Sequence, residues 1–155
     1  MPPAQRRAGA SKLADRFGRD LAAEARADIA AAALGVIEHP DLAPLFAPGS
    51  RAEAAIVGRV GGRVLSGQID RIVVQQGQVL VVDYKTNRPP PRRVEDVPAI
   101  YLRQMAAYRA AIAAVYPGRT VKAVLLWTDG PSAMALPDAL LDRFDPSRMR
   151  DAAPP

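Results

Sequence analysis

The feature that most constrains this chain is the run Val79-Leu80-Val81-Val82, which leads into Asp83-Tyr84-Lys85. Four successive apolar residues of high β propensity suit a strand covered on both faces, so the fold needs helices on each side of a sheet. Gln76-Gly77 precedes the run as a turn, and Pro89-Pro90-Pro91 closes it with an extended loop. Upstream, residues 54–60 and 63–74 have strand character and flank Gly61-Gly62, a hairpin signal. Downstream, Tyr101, Met105, Tyr108, Ile112 and Val115 recur at steps of four and three. They lie between the start signals Asp96 and Pro98 and the stop Pro117-Gly118, which predicts one amphipathic helix. Residues 121–127 repeat the buried-strand pattern, and Asp129-Gly130-Pro131 leads on to a short helix near 137–144.

The first third is different. Residues 11–38 are Ala-rich and poor in breakers, which predicts one or two amphipathic helices. Leu13, Phe17 and Leu21 recur four apart, as do Ile29, Ala33 and Ile37, with Gly18 a separator and His39-Pro40 the end. Residues 41–50 predict a short helical turn and a loop. The expected organisation is a flexible tail over 1–10, a helical segment over 11–50, a core over 51–145 and a second tail over 146–155. At 155 residues, 49% hydrophobic and 24% charged, the chain has the balance of one soluble globular domain. With no cysteine and a single histidine, His39, disulfides, zinc–thiolate sites and sites needing two imidazoles are excluded. A net charge of +5 suits a polyanionic partner such as nucleic acid, although merely soluble proteins share it. No run approaches the roughly 18 apolar residues of a membrane span. The N-terminus lacks the apolar stretch of a secretory signal, so no membrane association is expected and the expected location is the cytoplasm.

Chemistry concentrates around the apolar strand. Side chains two apart on a strand share a face, so Asp83 and Lys85 point together while Tyr84 points away. A short hairpin joins this strand to the one carrying Asp70, in Ser66-Gly67-Gln68-Ile69-Asp70-Arg71, so the two aspartates are candidate neighbours across the ladder. Glu53, at the start of the first strand, is a candidate third carboxylate. Carboxylates held that close repel unless a cation neutralises them, and all-oxygen donors suit Mg²⁺. Such an ion orients and neutralises a scissile phosphate and acidifies water, with a lysine beside it to help.

The ordered set Gly67-Gln68-Ile69-Asp70-Arg71, then Val81-Val82-Asp83-Tyr84-Lys85-Thr86-Asn87, then Gln104 and Tyr108 four apart on a helix, resembles the RecB-like branch of the PD-(D/E)XK nuclease superfamily. From about residue 28 to 141, with Leu42-Ala43-Pro44-Leu45-Phe46 and Leu125-Leu126-Trp127-Thr128-Asp129, the chain is similar to the C-terminal nuclease domain of AddA. The resemblance implies a restriction-endonuclease-like α/β core, with a central mixed β-sheet flanked by helices. It implies a Mg²⁺-dependent DNA nuclease, with Mn²⁺ a substitute, acting as an exonuclease module in recombinational repair of double-strand breaks. Asp70 and Asp83 would be metal ligands, with the backbone carbonyl of Tyr84 a further one, and Lys85 the catalytic lysine. Glu53 matches a glutamate near the metal. Gln104 and Tyr108 match a motif that positions the strand or the lysine. No G-x-x-x-x-G-K-[S/T] loop occurs, so the expected partner besides DNA is a helicase-bearing chain of an AddAB-like complex.

RecB-like nucleases carry a further histidine on an upstream helix, whereas His39 sits at a helix end beyond that position. The chain therefore reads as beginning after the family's histidine helix, which leaves open a weakened or inactive DNA- or partner-binding remnant, and equally a free-standing nuclease. Lys85, Arg88, Arg92 and Arg93 surround the proline loop and are candidate phosphate contacts, as are Thr86 and Asn87; the other reading is a solvated loop with ordinary turn residues. Asp83 and Lys85 alone would read as a surface ion pair, Glu53 as a surface charge, and Trp127 and the Tyr108 ring as core.

Overall fold

The computed structural model describes residues 2–148. A five-stranded sheet in the order β1-β2-β3-β4-β5 forms the centre. Its strands are β1 (Ser50–Val60), β2 (Arg63–Gln75), β3 (Gln78–Lys85), β4 (Thr120–Trp127) and β5 (Ser132–Leu136). The helices are α1 (Pro3–Phe17), α2 (Ala23–Glu38), α3 (Ala99–Val115) and α4 (Asp138–Leu141), with a 3₁₀ segment over Pro40–Phe46. The β1/β2, β2/β3 and β4/β5 pairs are antiparallel, whereas β3 and β4 are parallel, joined through α3. The sheet is thus mixed and flanked by helices, as expected.

The β3 run is covered on both faces, as its apolar residues require. Val79 and Val81 pack with Leu102, Met105 and Ile112 of α3, together with Ala123 and Leu125 of β4. Val82 faces the other way, into a second cluster with Val36 of α2 and Leu42 and Leu45 of the 3₁₀ segment. The β1–β2 connection is the expected hairpin, with Gly61 and Gly62 at φ of 57° and 79°. Two consecutive positive φ values match the twist of the strands they join. A Cβ on Gly61 would also lie 2.6 Å from the carbonyl oxygen of Pro146, so the chain after α4 abuts this turn.

Three expectations change. Residues 3–10, expected to lie within a flexible tail, form the first turns of α1, which begins at Pro3. Proline is favoured at the first helical position, where no N–H is needed, and Ala4, Gln5, Arg6 and Arg7 are helix formers. Of the second tail, residues 149–155 lie outside the described residues; residues 146 and 147 pack on Gly61. Finally, the stretch expected to run directly into the last helix forms β5 first. Its alanines carry little strand propensity, and the ladder with β4 from Ala123↔Leu136 to Trp127↔Ser132 makes the strand.

The stripes of α1 and α2 are real but lie outside the main core. Leu13, Phe17, Ile29 and Ile37 line an open apolar groove of about 640 Å³ between the two helices, floored by Phe46, and Phe17 is 77% exposed. Among the described residues, no single helix is long and apolar enough to cross a membrane.

Candidate active site

Pairing between β2 and β3 runs from Gln75↔Gln78 to Arg71↔Val82 and stops there. The next step would set Asp70 opposite Asp83. Instead β2 continues with β1 as a two-stranded arm, while β3 continues beside β4 through Asp83↔Leu125 and Lys85↔Trp127. The opening is bridged by Asp70, whose Oδ2 accepts the backbone N–H of Tyr84 at 2.7 Å. That N–H would otherwise lack a ladder partner.

The arm changes phase at the same step. Glu53 stands opposite Asp70 in register, between the pairs Ala52↔Arg71 and Ala54↔Ile69, and has φ of 52°, unique among described non-glycine residues. Beyond it, Ala54, Ile56 and Ile69 pack on the α3 side. Before it, Arg71 reaches the other side, donating to the Tyr84 hydroxyl at 2.7 Å and to Ser50 Oγ at 2.8 Å over the Phe46 ring. A left-handed backbone at a glutamate is costly and persists only where surrounding pairing imposes it.

Asp83, Lys85 and Gln104 form the chemical cluster. Asp83 is only 3% exposed, and its Oδ2 pairs with the ammonium of Lys85. Lys85 Nζ donates to Gln104 Oε1 at 3.0 Å. The same amide turns its Nε2 toward Asp83 Oδ1 at 3.4 Å and the Tyr108 hydroxyl at 3.3 Å. That hydroxyl donates to the Gln68 carbonyl at 2.9 Å, so α3 is pinned to the arm. Gly67 permits the approach, because a Cβ there would lie 3.1 Å from the Tyr108 hydroxyl oxygen and 3.2 Å from its ring. Burial pushes the Asp83 carboxyl above its ordinary value; the hydrogen bond and charge of Lys85 oppose this, and the charge of Asp70 adds to it.

The structure therefore brings Asp83, Lys85, Gln104 and Tyr108 into one bonded network, with Asp70 joined through the Tyr84 backbone. Glu53 is exposed on the edge strand and makes no hydrogen bond or ion pair with this network among the described residues. Thr86 and Arg92 are exposed, and Asn87 accepts from the Tyr101 hydroxyl at 3.0 Å. Arg88 lies 3.9 Å from Asp129, a loose pair. Arg93 is held by its own loop, 3.2 Å from Asp96 and 4.0 Å from Glu95. His39 caps the 3₁₀ segment, its Nδ1 accepting the Asp41 N–H at 3.3 Å. Trp127 is core at 1% exposure. Two participants escape the sequence reading: Arg71, behind Tyr84, and Tyr101, whose ring lies 4.1 Å from Lys85 Nζ. Tyr101 reads in the sequence as one member of the apolar stripe, although its place three residues before Gln104 puts the two on neighbouring positions of the helix surface.

Among the described residues, no three acidic, histidine or cysteine side chains gather as a metal cage. The donor chemistry here is two carboxylates, with the charge of Asp70 raising the cost of ionising Asp83, and Asp70 bonded to the backbone N–H of Tyr84. That set fits a hard divalent cation that keeps much of its water, the habit of Mg²⁺.

The sequence model of the PD-(D/E)XK nuclease superfamily matches residues 2–152. No curated protein matches the chain. Among solved structures it is similar to a candidate exonuclease from Eubacterium rectale, at 12% identity and a TM-score of 0.50, over 76% of this chain and 48% of that one. This chain thus spans about half the length of that structure, and the likeness speaks to fold alone. SSO0001 aligns at 20% identity over 87% of this chain and 68% of its own, with a TM-score of 0.37. The mixed five-stranded sheet between helices is the restriction-endonuclease-like architecture. With the family match over nearly its whole length, the chain belongs to the PD-(D/E)XK nuclease superfamily.

Proposed function

We propose that this protein is a Mg²⁺-dependent deoxyribonuclease that hydrolyses phosphodiester bonds at the open end of the β2–β3 ladder. One observation carries the reading: a buried Asp83 paired with Lys85 and held by Gln104, beside Asp70 where the two strands part. Nucleases of this superfamily generally use divalent metal ions. Asp70, Asp83 and the Tyr84 carbonyl would hold Mg²⁺, with Mn²⁺ as a substitute. The chemistry supplied by the bound ion is charge neutralisation at the scissile phosphate and a more acidic water. Lys85 presents its ammonium to the charge that develops on the phosphate oxygens. Gln104 fixes that ammonium and the Asp83 carboxylate through one amide, and Tyr108 fixes Gln104. Arg88 and Arg92, with Thr86 and Asn87, contact the phosphate backbone without reading sequence. Arg93 contributes less, being engaged by Asp96.

The likeness to the AddA nuclease domain extends the proposal to an exonuclease module of double-strand break repair, partnered in the cytoplasm by a helicase-bearing chain. The test incubates the purified protein with labelled single- and double-stranded DNA, with Mg²⁺, Mn²⁺ or EDTA, beside Asp83→Ala and Lys85→Ala. Cutting that EDTA and either substitution abolish is the expected result. Equal activity in the variants discards the site, and retained DNA binding with no cutting by the wild type favours an inert binding module. The partner is tested by adding an AddB-type helicase chain and asking whether the two co-elute and whether duplex ends are degraded faster.

A further inference from the structure

We propose that Tyr101 is a positioning residue for Lys85, holding its ammonium through the ring face and coupling it to the loop after β3. The inference rests on the nucleolytic reading above. A lysine ammonium is a compact charge on a flexible stem, so its placement depends on what surrounds it. Here Asp83 Oδ2 and Gln104 Oε1 each take one direction around Nζ. The face of the Tyr101 ring takes another, its centroid 4.1 Å away, within the range of a cation–π contact. The ring itself is located at two points. Its hydroxyl donates to Asn87 Oδ1 at 3.0 Å, and its side meets the buried Trp127 ring at 6.4 Å, tilted by 55°.

Trp127 is the register partner of Lys85, and the Lys85 carbonyl accepts the Thr128 N–H at 3.0 Å, so the backbone under the lysine is fixed too. Tyr101 thus touches the lysine, the loop carrying Thr86, Asn87 and Arg88, and the β4 core. Displacing the ring removes one of the three restraints on the ammonium and unties Asn87 at the same time. The ring face attracts a cation and leaves both anionic and amide partners in place, so its contribution is to orientation.

The test compares wild type, Tyr101→Phe and Tyr101→Leu in the full chain, each checked for an unchanged melting transition. In single-stranded DNA cleavage with Mg²⁺, Tyr101→Leu lowers kcat about three- to thirtyfold while KM changes less than twofold. Tyr101→Phe keeps the ring and loses under threefold. A second readout needs neither metal nor DNA. The sequence has three lysines, Lys12, Lys85 and Lys122, so ¹³C-lysine labelling resolves their ε-methylene signals. Ring current from Tyr101 moves the Lys85 signal upfield in wild type and Tyr101→Phe, and the shift is lost in Tyr101→Leu. A wild-type Lys85 signal at the free-lysine position, or a folded Tyr101→Leu variant with wild-type kcat, overturns the inference. A wild type that does not cut overturns the nucleolytic reading instead, and the ring-current shift alone then decides whether Tyr101 holds the ammonium.

Discussion

Asp70 reaches across the parting strands to accept the backbone N–H of Tyr84 at 2.7 Å, on the residue between Asp83 and Lys85. The carboxylate therefore serves the backbone of the strand that carries the other two charged groups. Its structural and chemical roles separate by substitution. Asp70→Asn keeps an acceptor for Tyr84 and removes the charge, so unfolding free energy changes by under ~1 kcal/mol while Mg²⁺-dependent cutting falls by on the order of a hundredfold or more. Asp70→Ala leaves the N–H unpartnered and costs about 1–3 kcal/mol as well. Urea denaturation and a cleavage assay on both variants check this.

Asp83 sets a pH dependence of stability. Burial holds its carboxyl above the ordinary value of 3.8, so between 3.8 and its raised folded value the native state binds more protons than the unfolded one. Stability from this group therefore declines as pH rises through that window, and Asp83→Asn removes the decline. Asp142 acts oppositely, because the hydrogen bond from Arg109 lowers its carboxyl. Its contribution is lost as pH falls below 3.8, a separate window. Denaturant unfolding from pH 3 to 8 on both proteins resolves the two, and an unchanged slope in Asp83→Asn would contradict the assignment.

The Gly67–Tyr108 contact is close enough to act as a gauge of helix position. Gly67→Ala places a methyl group 3.1 Å from the Tyr108 hydroxyl oxygen, against a ring that is buried and bonded to Gln68 and Gln104. Overpacking of that kind costs about 1–3 kcal/mol. Because Tyr108 supports Gln104, cutting falls along with stability. Tyr108→Phe removes the bond to Gln68 at a cost of about 1 kcal/mol. Thermal unfolding read beside activity separates the two effects.

The cations of the proline loop are not equivalent. Arg92 is exposed and unpaired among the described residues, and Arg88 is only 3.9 Å from Asp129, whereas Arg93 is engaged by Asp96 at 3.2 Å. Arg88→Ala and Arg92→Ala each weaken single-stranded DNA binding uniformly across sequences. Each reduces the slope of log K against log salt by about 0.7, the value for one phosphate contact on a single strand. Arg93→Ala changes it least. Fluorescence anisotropy between 50 and 200 mM salt, run with EDTA to prevent cutting, ranks the three.

Much of this architecture is legible in the chain itself. The Val79–Val82 run announces a strand buried on both faces, the Gly61-Gly62 pair a hairpin, and the Tyr101–Val115 stripe a helix. The spacing of Asp83 and Lys85 puts both on the α3 side, where Gln104 meets them. These features are local, written in periods of two and 3.6 residues that the backbone imposes on any sequence. The ends of elements were less legible: α1 starts within what reads as a tail, and β5 is made by a ladder its alanines do not advertise.

By itself, then, the sequence determined the sheet-and-helix plan and the face shared by Asp83 and Lys85, because strand and helix periodicity convert spacing directly into direction. Only the tertiary structure decided that the β2–β3 ladder stops one step short of Asp70 and Asp83, and that Glu53 turns left-handed at the edge. It alone laid the Tyr101 ring on Lys85. Those outcomes depend on where strands part and on which side chains from distant segments come to fill one space, quantities that no local repeat encodes.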